Sequence, residues 1–348
     1  MIGALAMNKT AFAAWLATVN RLDAAQRKQA FQALALAEAA DPVVVSSDPA
    51  APAASPPGET LLAKIGRERI DSFGCPHCGL RDVRKWGNAN GKPRYRCADC
   101  RKTFNPLTAT PLSGLHYPER WQTQAQAMLD GVTIQKAAER CGVDYTTAFR
   151  WRHRFLAALN LDKPQKLSGI VEADETFVLE SFKGRRAALG RAPRKRGGKA
   201  SKRGLSGEQI PVLVARDRTG ATIDAVLAGL DAASMAKALG DVVSRGSDFC
   251  CDGGAGIAAF ARAARVRLHV LPAPGSPRPA APQFHINNVN AYHSRLKEWM
   301  RRFHGVATDN LANYLSWRRT IEALAQDASP QAWIMGAAGL GPYQQASL

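Results

Sequence analysis

The chain has 348 residues, 46% of them hydrophobic, and a formal net charge of +18 from 47 Lys and Arg against 29 Asp and Glu. That length has room for two or three domains with a sizeable core, and a charge of that sign and size favours a polyanion, nucleic acid before any other. The longest apolar runs are alanine-rich and broken by charge, which argues against a membrane span, and the first forty residues lack the order of a secretory leader, so a cytoplasmic, bacterial-style, DNA-associated protein is expected.

Residues 1–40 carry apolar side chains at helical spacing (Phe12, Trp15, Leu16, Val19 and Leu22, then Phe31, Leu34 and Leu36), predicting two short helices broken near Asp23. Residues 41–60 are rich in Pro, Ala and Ser and read as a linker. Residues 61–107 contain Cys75-Pro-His-Cys78 and, after eighteen intervening positions, Cys97-Ala-Asp-Cys100. Two Cys-x-x-Cys pairs at that separation predict a zinc ribbon, each pair forming a knuckle at one end of a β-hairpin. The hairpin runs through Asp82-Val-Arg-Lys-Trp-Gly, turns at Asn88-Ala-Asn-Gly91 and returns from Lys92 to Cys97. Structural Zn²⁺ would hold together a module too small to bury its own core. The alternatives are disulfides, disfavoured in a reducing compartment, and four buried thiols. Cys141, Cys250 and Cys251 stand outside the ribbon and read as small buried hydrophobes.

Residues 108–162 predict a helix over Tyr117–Asp130 and then a helix-turn-helix. Thr133 is placed to cap a short helix with Ile134, Ala137 and Ala138 inward, Gly142 supplies the tight turn, Val143 packs beneath it, and Asp144 caps the second helix. Tyr145, Thr146, Thr147 and Arg150 would then face base edges at the N-terminal end of that helix, with Arg152 and Arg154 reaching phosphates. An ordinary helical hairpin with a solvated basic face is the plainer reading; the adjoining ribbon favours DNA binding.

From 163 to 325 the pattern predicts strands at Gly169–Leu179, Gln209–Arg216 and Ala221–Leu230, a helix over Ala232–Ser244, a strand at Ser247–Cys251, a helix over Ile257–Ala264 and a strand at Val266–Leu271. Helices over Asn287–Phe303 and Asp309–Leu324 follow. Three meander strands, then alternating helix and strand, then terminal helices is the order of a ribonuclease-H-like α/β domain. Residues 326–348 are Ala/Gly/Pro-rich and read as a tail. The expected molecule is therefore multidomain: zinc ribbon, helix-turn-helix and ribonuclease-H-like catalytic domain.

Strand alternation in Ile170-Val-Glu-Ala-Asp-Glu-Thr-Phe puts Glu172, Asp174 and Thr176 on one face and Glu175 on the other. An acid in the middle of an apolar strand is costly unless paired or metal-bound. Asp252 follows the fourth strand in Cys250-Cys-Asp-Gly-Gly, at a strand C-terminus where α/β sheets gather their sites. First and fourth strands are neighbours in the expected sheet, so Asp174 and Asp252 would meet and could bind Mg²⁺ or Mn²⁺. A plain Asp-Gly turn at Asp252 and a salt bridge at Asp174 are the bland alternatives, and Glu172 and Glu175 compete for the site. In Phe284-His-Ile-Asn-Asn-Val-Asn-Ala-Tyr-His-Ser-Arg-Leu-Lys, Asn290 and Lys297 are seven residues apart and share a helix face with Asn287 and Ser294. An amide oxygen can ligate a metal without charge, and Lys297 would grip a DNA phosphate.

Together the ribbon, the helix-turn-helix, Val171-Glu-Ala-Asp-Glu-Thr, Cys251-Asp-Gly and His285-Ile-Asn-x-Val-Asn-x₆-Lys resemble the zinc-ribbon insertion-sequence transposases of the Asp-Asp-Asn/Glu-Lys type (ISXO2-like). The resemblance implies that Asp174 and Asp252 bind the catalytic metal, Asn290 takes the third position and Lys297 accompanies them, with His285 and Asn287 lining the site. It implies a transposase that binds terminal inverted repeats, cleaves at the ends and joins them to target DNA, as a homo-oligomer on DNA. A zinc-dependent DNA-binding regulator with a catalytically lapsed nuclease-like domain is the second reading. The stretch 183–204, with ten Lys and Arg and no acid, reads as a basic loop beside the site; Arg185, Arg186, Arg194, Lys195 and Arg196 are its expected DNA contacts.

Overall fold

The structure, a computed structural model, describes residues 59–185, 198–202, 206–271 and 282–345. The helices expected within 1–40, nearly all of the 41–60 linker, and Arg186, Arg194, Lys195 and Arg196 lie outside these residues.

Residues 61–73 form a helix, not part of the ribbon: α1 (Leu61–Phe73), whose free N–H at Ala63 donates to the Thr60 hydroxyl. The ribbon itself is a three-stranded antiparallel sheet of β1 (Val83–Ala89), β2 (Lys92–Cys97) and β3 (Thr103–Phe104) in that order. Its hairpin closes at Asn90-Gly91, both with positive φ (51° and 70°), the backbone that a two-residue turn matched to strand twist demands. Tyr95, Cys97, Phe104 and Cys75 make a small core of their own.

Tyr117–Asp130 is not one continuous helix. Tyr117 is left-handed (φ 56°), a 3₁₀ turn covers Pro118–Arg120, and α2 spans Trp121–Leu129. α3 (Ile134–Cys141) and α4 (Tyr145–Leu161) follow with the expected caps: Thr133 accepts from Lys136 N–H at 3.4 Å and Asp144 from Thr147 N–H at 2.9 Å. Gly142 adopts φ 62°, and Val143 N–H closes back on the Ala138 carbonyl, which ends α3 sharply and aims α4 away from it.

The second sheet holds β4 (Ile170–Leu179), β5 (Gln209–Asp217), β6 (Thr222–Val226), β7 (Asp248–Cys251) and β8 (Arg267–Val270), ordered β6-β5-β4-β7-β8. The first three pair antiparallel, while β4–β7 and β7–β8 are parallel. The expected adjacency of first and fourth strands is therefore present. α5 (Ala232–Leu239), shorter than the expected 232–244, and α6 (Ala255–Ala263) cover one face. α7 (Asn287–Arg301) and α8 (Leu311–Leu324) cover the other. Alternation along β5 serves both: Leu213 and Ala215 join the core under α5 and α6, whereas Val212 and Val214 join the core under α7 and α8.

That second core is continuous with the helix-turn-helix, since Trp121, Trp151 and Phe155 share it with Trp299 and Trp317. Polar groups stitch the same seam. Arg319, 1% exposed, pairs with Asp224 of β6 and donates to the Leu159 carbonyl (2.9 Å) and the Asp162 carbonyl (3.2 Å) at the end of α4. Glu322 of α8 receives Arg216 of β5 and Arg295 of α7; burial pushes its carboxyl up, but the hydrogen bonds from Arg295, Arg318 and Arg216 prevail and hold it down at about 2.

Two expectations fail here for one reason, burial. Residues 326–348 do not read out as a tail: α9 (Pro330–Ala337) places Trp333 and Ile334 at 0% exposure in this core, and a short α10 (Pro342–Gln345) follows. Arg152 does not point to phosphates either. It is 1% exposed, donates to the Val132 carbonyl at 2.7 Å, and lays its guanidinium 4.9 Å from the centre of the Trp317 ring. Among the described residues no helix is long and apolar enough to cross a membrane.

Candidate metal centres and DNA-facing helix

The first centre is built by the ribbon's two knuckles. The four sulfurs of Cys75, Cys78, Cys97 and Cys100 lie within 4.8 Å of one another, with Cys75–Cys100 at 3.7 Å and Cys78–Cys97 at 3.6 Å. A tetrahedron with Zn–S bonds of about 2.3 Å has edges of about 3.8 Å, so the observed edges fit such an ion. Backbone geometry brings the first pair together: Gly79 N–H donates to the Cys75 carbonyl and Cys75 N–H to the Leu80 carbonyl, both at 2.8 Å. His77 is not a member of the group; its ring stands edge-on to Phe104.

The second centre arises from strand register. β7 runs parallel to β4 with Cys250 beside Glu172, so Asp252, two residues on, arrives level with Asp174. Gly253 then turns at φ 88°, where a Cβ would meet Val270 at 2.6 Å, so only glycine lets the chain leave the strand at this point. Asp252 uses one oxygen in that turn, accepting Gly254 N–H at 3.1 Å; the Asp-Gly turn and the centre coexist. Carboxylate oxygens of Asp174, Glu175 and Asp252 all lie within 4.8 Å of one another, and oxygen donors of this kind suit hard divalent ions. Alternation assigns Glu175 to the opposite face from Asp174, yet it joins them. β7 ends at Cys251, so among the described residues β4 has no partner on that edge beyond Glu172.

Electrostatics mark the same group. Burial and then the neighbouring Asp252 charge push the Asp174 carboxyl up to about 6. Burial, Asp252 and Asp174 together push Glu175 up to about 7. Like charges crowded in a partly dry site favour the protonated forms until a cation arrives.

α7 passes over this centre. Val289, Tyr292 and Leu296 are fully buried, which turns Asn290 and Lys297 outward, both exposed. Lys297 is close enough for its charge to act on Asp174. Between them on the same stripe stands His293, which the sequence reading passed over. It is 6% exposed, with Nδ1 3.6 Å from Asp174 Oδ2 and Nε2 lacking a hydrogen-bond partner among the described residues. Burial and the Lys297 charge push its pKa down to about 4, so it is neutral near pH 7. Its position three residues after Asn290 and four before Lys297 was the available signal. Glu172, the other competitor, lies away from the acid group, against the start of α7 beside His285. Asn287 is exposed there, its N–H 3.3 Å from His285 Nδ1.

On α4, Tyr145, Thr146 and Arg150 are exposed at the N-terminal end, and Phe149 is partly exposed beside them. Thr147 is half-buried and spends its hydroxyl on Asp144 at 2.5 Å. Arg154 donates to the Pro111 and Ser113 carbonyls and so braces the loop before α2. Arg185 is exposed and pairs with Asp309 at 3.1 Å.

A helix-turn-helix is thus joined through a common core to a mixed sheet that gathers carboxylates. Residues 118–163 match the homeodomain-like domain, and residues 166–319 match the ISXO2-like transposase domain. Residues 166–319 thus carry an ISXO2-like transposase domain. The chain is 34% identical over 161 residues to an uncharacterized protein in transposable element ISH50 of Halobacterium salinarum. That match covers 45% of this chain and 53%, about half, of the relative. Among solved structures, a pre-cleavage Mos1 transpososome matches at 15% identity over 66% of this chain and 82% of that one, with a TM-score of 0.18. The Mos1 strand transfer complex matches at 14% identity over 62% and 81%, with a TM-score of 0.20.

Proposed function

We propose that the protein is an insertion-sequence transposase that binds its element's terminal inverted repeats and carries out metal-dependent cleavage and strand transfer. The observation that carries this reading is the convergence of Asp174, Glu175 and Asp252 carboxylates within 4.8 Å of one another in a chain with a transposase domain. We read 61–107 as a ribbon held by structural Zn²⁺, 108–162 as the helix-turn-helix region and 163–325 as a ribonuclease-H-like domain, a reading supported by the adjacency of β4 and β7.

In this reading Asp174 and Asp252 hold Mg²⁺ or Mn²⁺, with Asn290 lending a neutral amide oxygen. The bound ions would activate water or a 3′-hydroxyl and stabilise the leaving oxygen of the phosphodiester. Lys297 steadies a backbone phosphate, and neutral His293 packs Asp174 on its buried side. Tyr145, Thr146 and Arg150 face the base edges of the repeat, while Arg185 and the basic stretch 183–204 clamp target DNA. The active form is a homo-oligomer on DNA, acting in the cytoplasm.

Strand transfer on the element's own ends in Mg²⁺ or Mn²⁺ tests the reading. Asp174→Ala and Asp252→Ala should each abolish cleavage and joining while end binding stays near wild type, because the carboxylates hold metal and not DNA. Equal inertness of wild type and variants, with repeat binding intact, would leave the DNA-binding regulator instead.

A further inference from the structure

The N-terminus of α7 presents a supply problem. A helix start leaves backbone N–H groups without intrahelical partners, and the residue at the N-cap is Ile286, whose side chain accepts nothing. The missing acceptor comes from another element. Glu172 Oε2 on β4 takes the N–H of Asn288 at 2.8 Å and of Val289 at 3.1 Å. Its Oε1 takes Asn288 Nδ2 at 2.8 Å and pairs with Arg218, from the turn after β5, at 2.7 Å. His285 lies 3.3 Å from the same oxygen and 3.0 Å from the Arg218 guanidinium. Glu172 is 0% exposed. A carboxylate is buried at such cost only when its lone pairs are filled, as they are here, and its charge also stands at the positive end of the helix dipole.

Position gives this cap its consequence. Glu172 and Asp174 are two residues apart on β4 and on one face, so a single strand holds both the metal-site acid and the fixing point of the helix that carries Asn290 and Lys297. The buried stripe of Val289, Tyr292 and Leu296 sets the roll of α7, and the Glu172 cap sets its end.

We propose that Glu172 is a positioning residue: its buried carboxylate anchors the first turn of α7 and thereby places Asn290 and Lys297 against Asp174 and Asp252. The proposal rests on the transposase reading of that centre. Metal sites lose affinity when the groups orienting their ligands are removed, by about 10–100-fold.

The test titrates Mn²⁺ alone, followed by electron paramagnetic resonance, into the full chain. Wild type, Glu172→Gln, Asn290→Ala, the double variant and Asp174→Ala are compared. Glu172→Gln replaces one acceptor by a donor facing other donors, and it should weaken Mn²⁺ binding by roughly tenfold or more. The double variant should lose no more than the worse single variant, because both changes remove one contribution. Amide exchange at Asn288 and Val289 should quicken in Glu172→Gln. Wild-type Mn²⁺ affinity in that variant, or losses that add in the double variant, overturns the proposal. Asn288→Ala, which keeps Glu172 and removes one donor, should show a smaller loss in the same direction; if Glu172→Gln does not fold, unchanged affinity in Asn288→Ala overturns it alone. A wild type that binds no Mn²⁺ sinks the reading of the centre together with this proposal. Binding that disappears in Asp174→Ala but is untouched in Glu172→Gln sinks this proposal only.

Discussion

Raised carboxyl pKa values at Asp174 (about 6) and Glu175 (about 7), both driven first by burial, make the centre's behaviour pH-dependent in a direction that can be worked out. In an unfolded chain the same groups titrate at about 3.9 and 4.3. Between about pH 4 and 7 the folded protein therefore binds more protons than the unfolded one, and the stability of the metal-free protein should fall as pH rises through that window. A divalent cation favours the ionised forms and opposes this loss. Mn²⁺ affinity should accordingly climb between pH 5 and 7.5, and thermal unfolding should show the pH-dependent loss without metal and its reversal with it. Glu175→Gln should flatten both curves and weaken Mn²⁺ binding, whereas Asn290→Asp, which adds a charge where an amide stood, should tighten it. Invariant affinity across that pH range would separate the titration of Asp174 and Glu175 from Mn²⁺ binding.

Along α4, two arginines a half-turn apart do opposite jobs, and neither job can be told from composition. Arg150 is exposed and Arg152 is enclosed against Trp317 and the Val132 carbonyl. Arg150→Ala should relax the preference for repeat over random DNA in a binding assay and leave thermal stability unchanged. Arg152→Ala should cost about 2–4 kcal/mol in chemical denaturation, from a stranded carbonyl and a lost cation–π contact, with no specific effect on sequence preference. In the ribbon, Cys97→Ser should release the ion, read as about one Zn per wild-type chain and less in the variant, and unfold β1–β3 with it, because metal binding supplies the folding energy of so small a sheet. A metal-free wild type with an intact ribbon would contradict the zinc assignment.

For the molecule as a whole, the shared core makes the C-terminal residues structural. Truncation after Asp327 removes Trp333 and Ile334, both fully buried. Losing one buried Trp costs about 3–5 kcal/mol, a large part of the 5–15 kcal/mol that holds a typical protein folded. The truncated chain should be insoluble or unfolded by circular dichroism, where an appended tail would leave both unchanged. The net charge of +18 makes a second expectation global: if about six to ten phosphates are neutralised, end-DNA affinity should drop roughly 10³–10⁵-fold between 50 and 200 mM salt. By itself the sequence determined what depends on local rules: the knuckle spacing of the four cysteines, the caps at Thr133 and Asp144, the Gly142 turn and the strand pattern of β4–β8. Only the tertiary structure decided what depends on neighbours remote in the chain. Strand alternation separates Glu175 from Asp174, yet their carboxylates meet beside Asp252; Glu172 shares a face with Asp174 but is claimed by the uncapped start of α7, more than a hundred residues on. Arg152 and residues 330–337 look exposed in a chain read locally, and are buried because α4, α8 and α9 complete one another's apolar faces, a match that no single segment encodes.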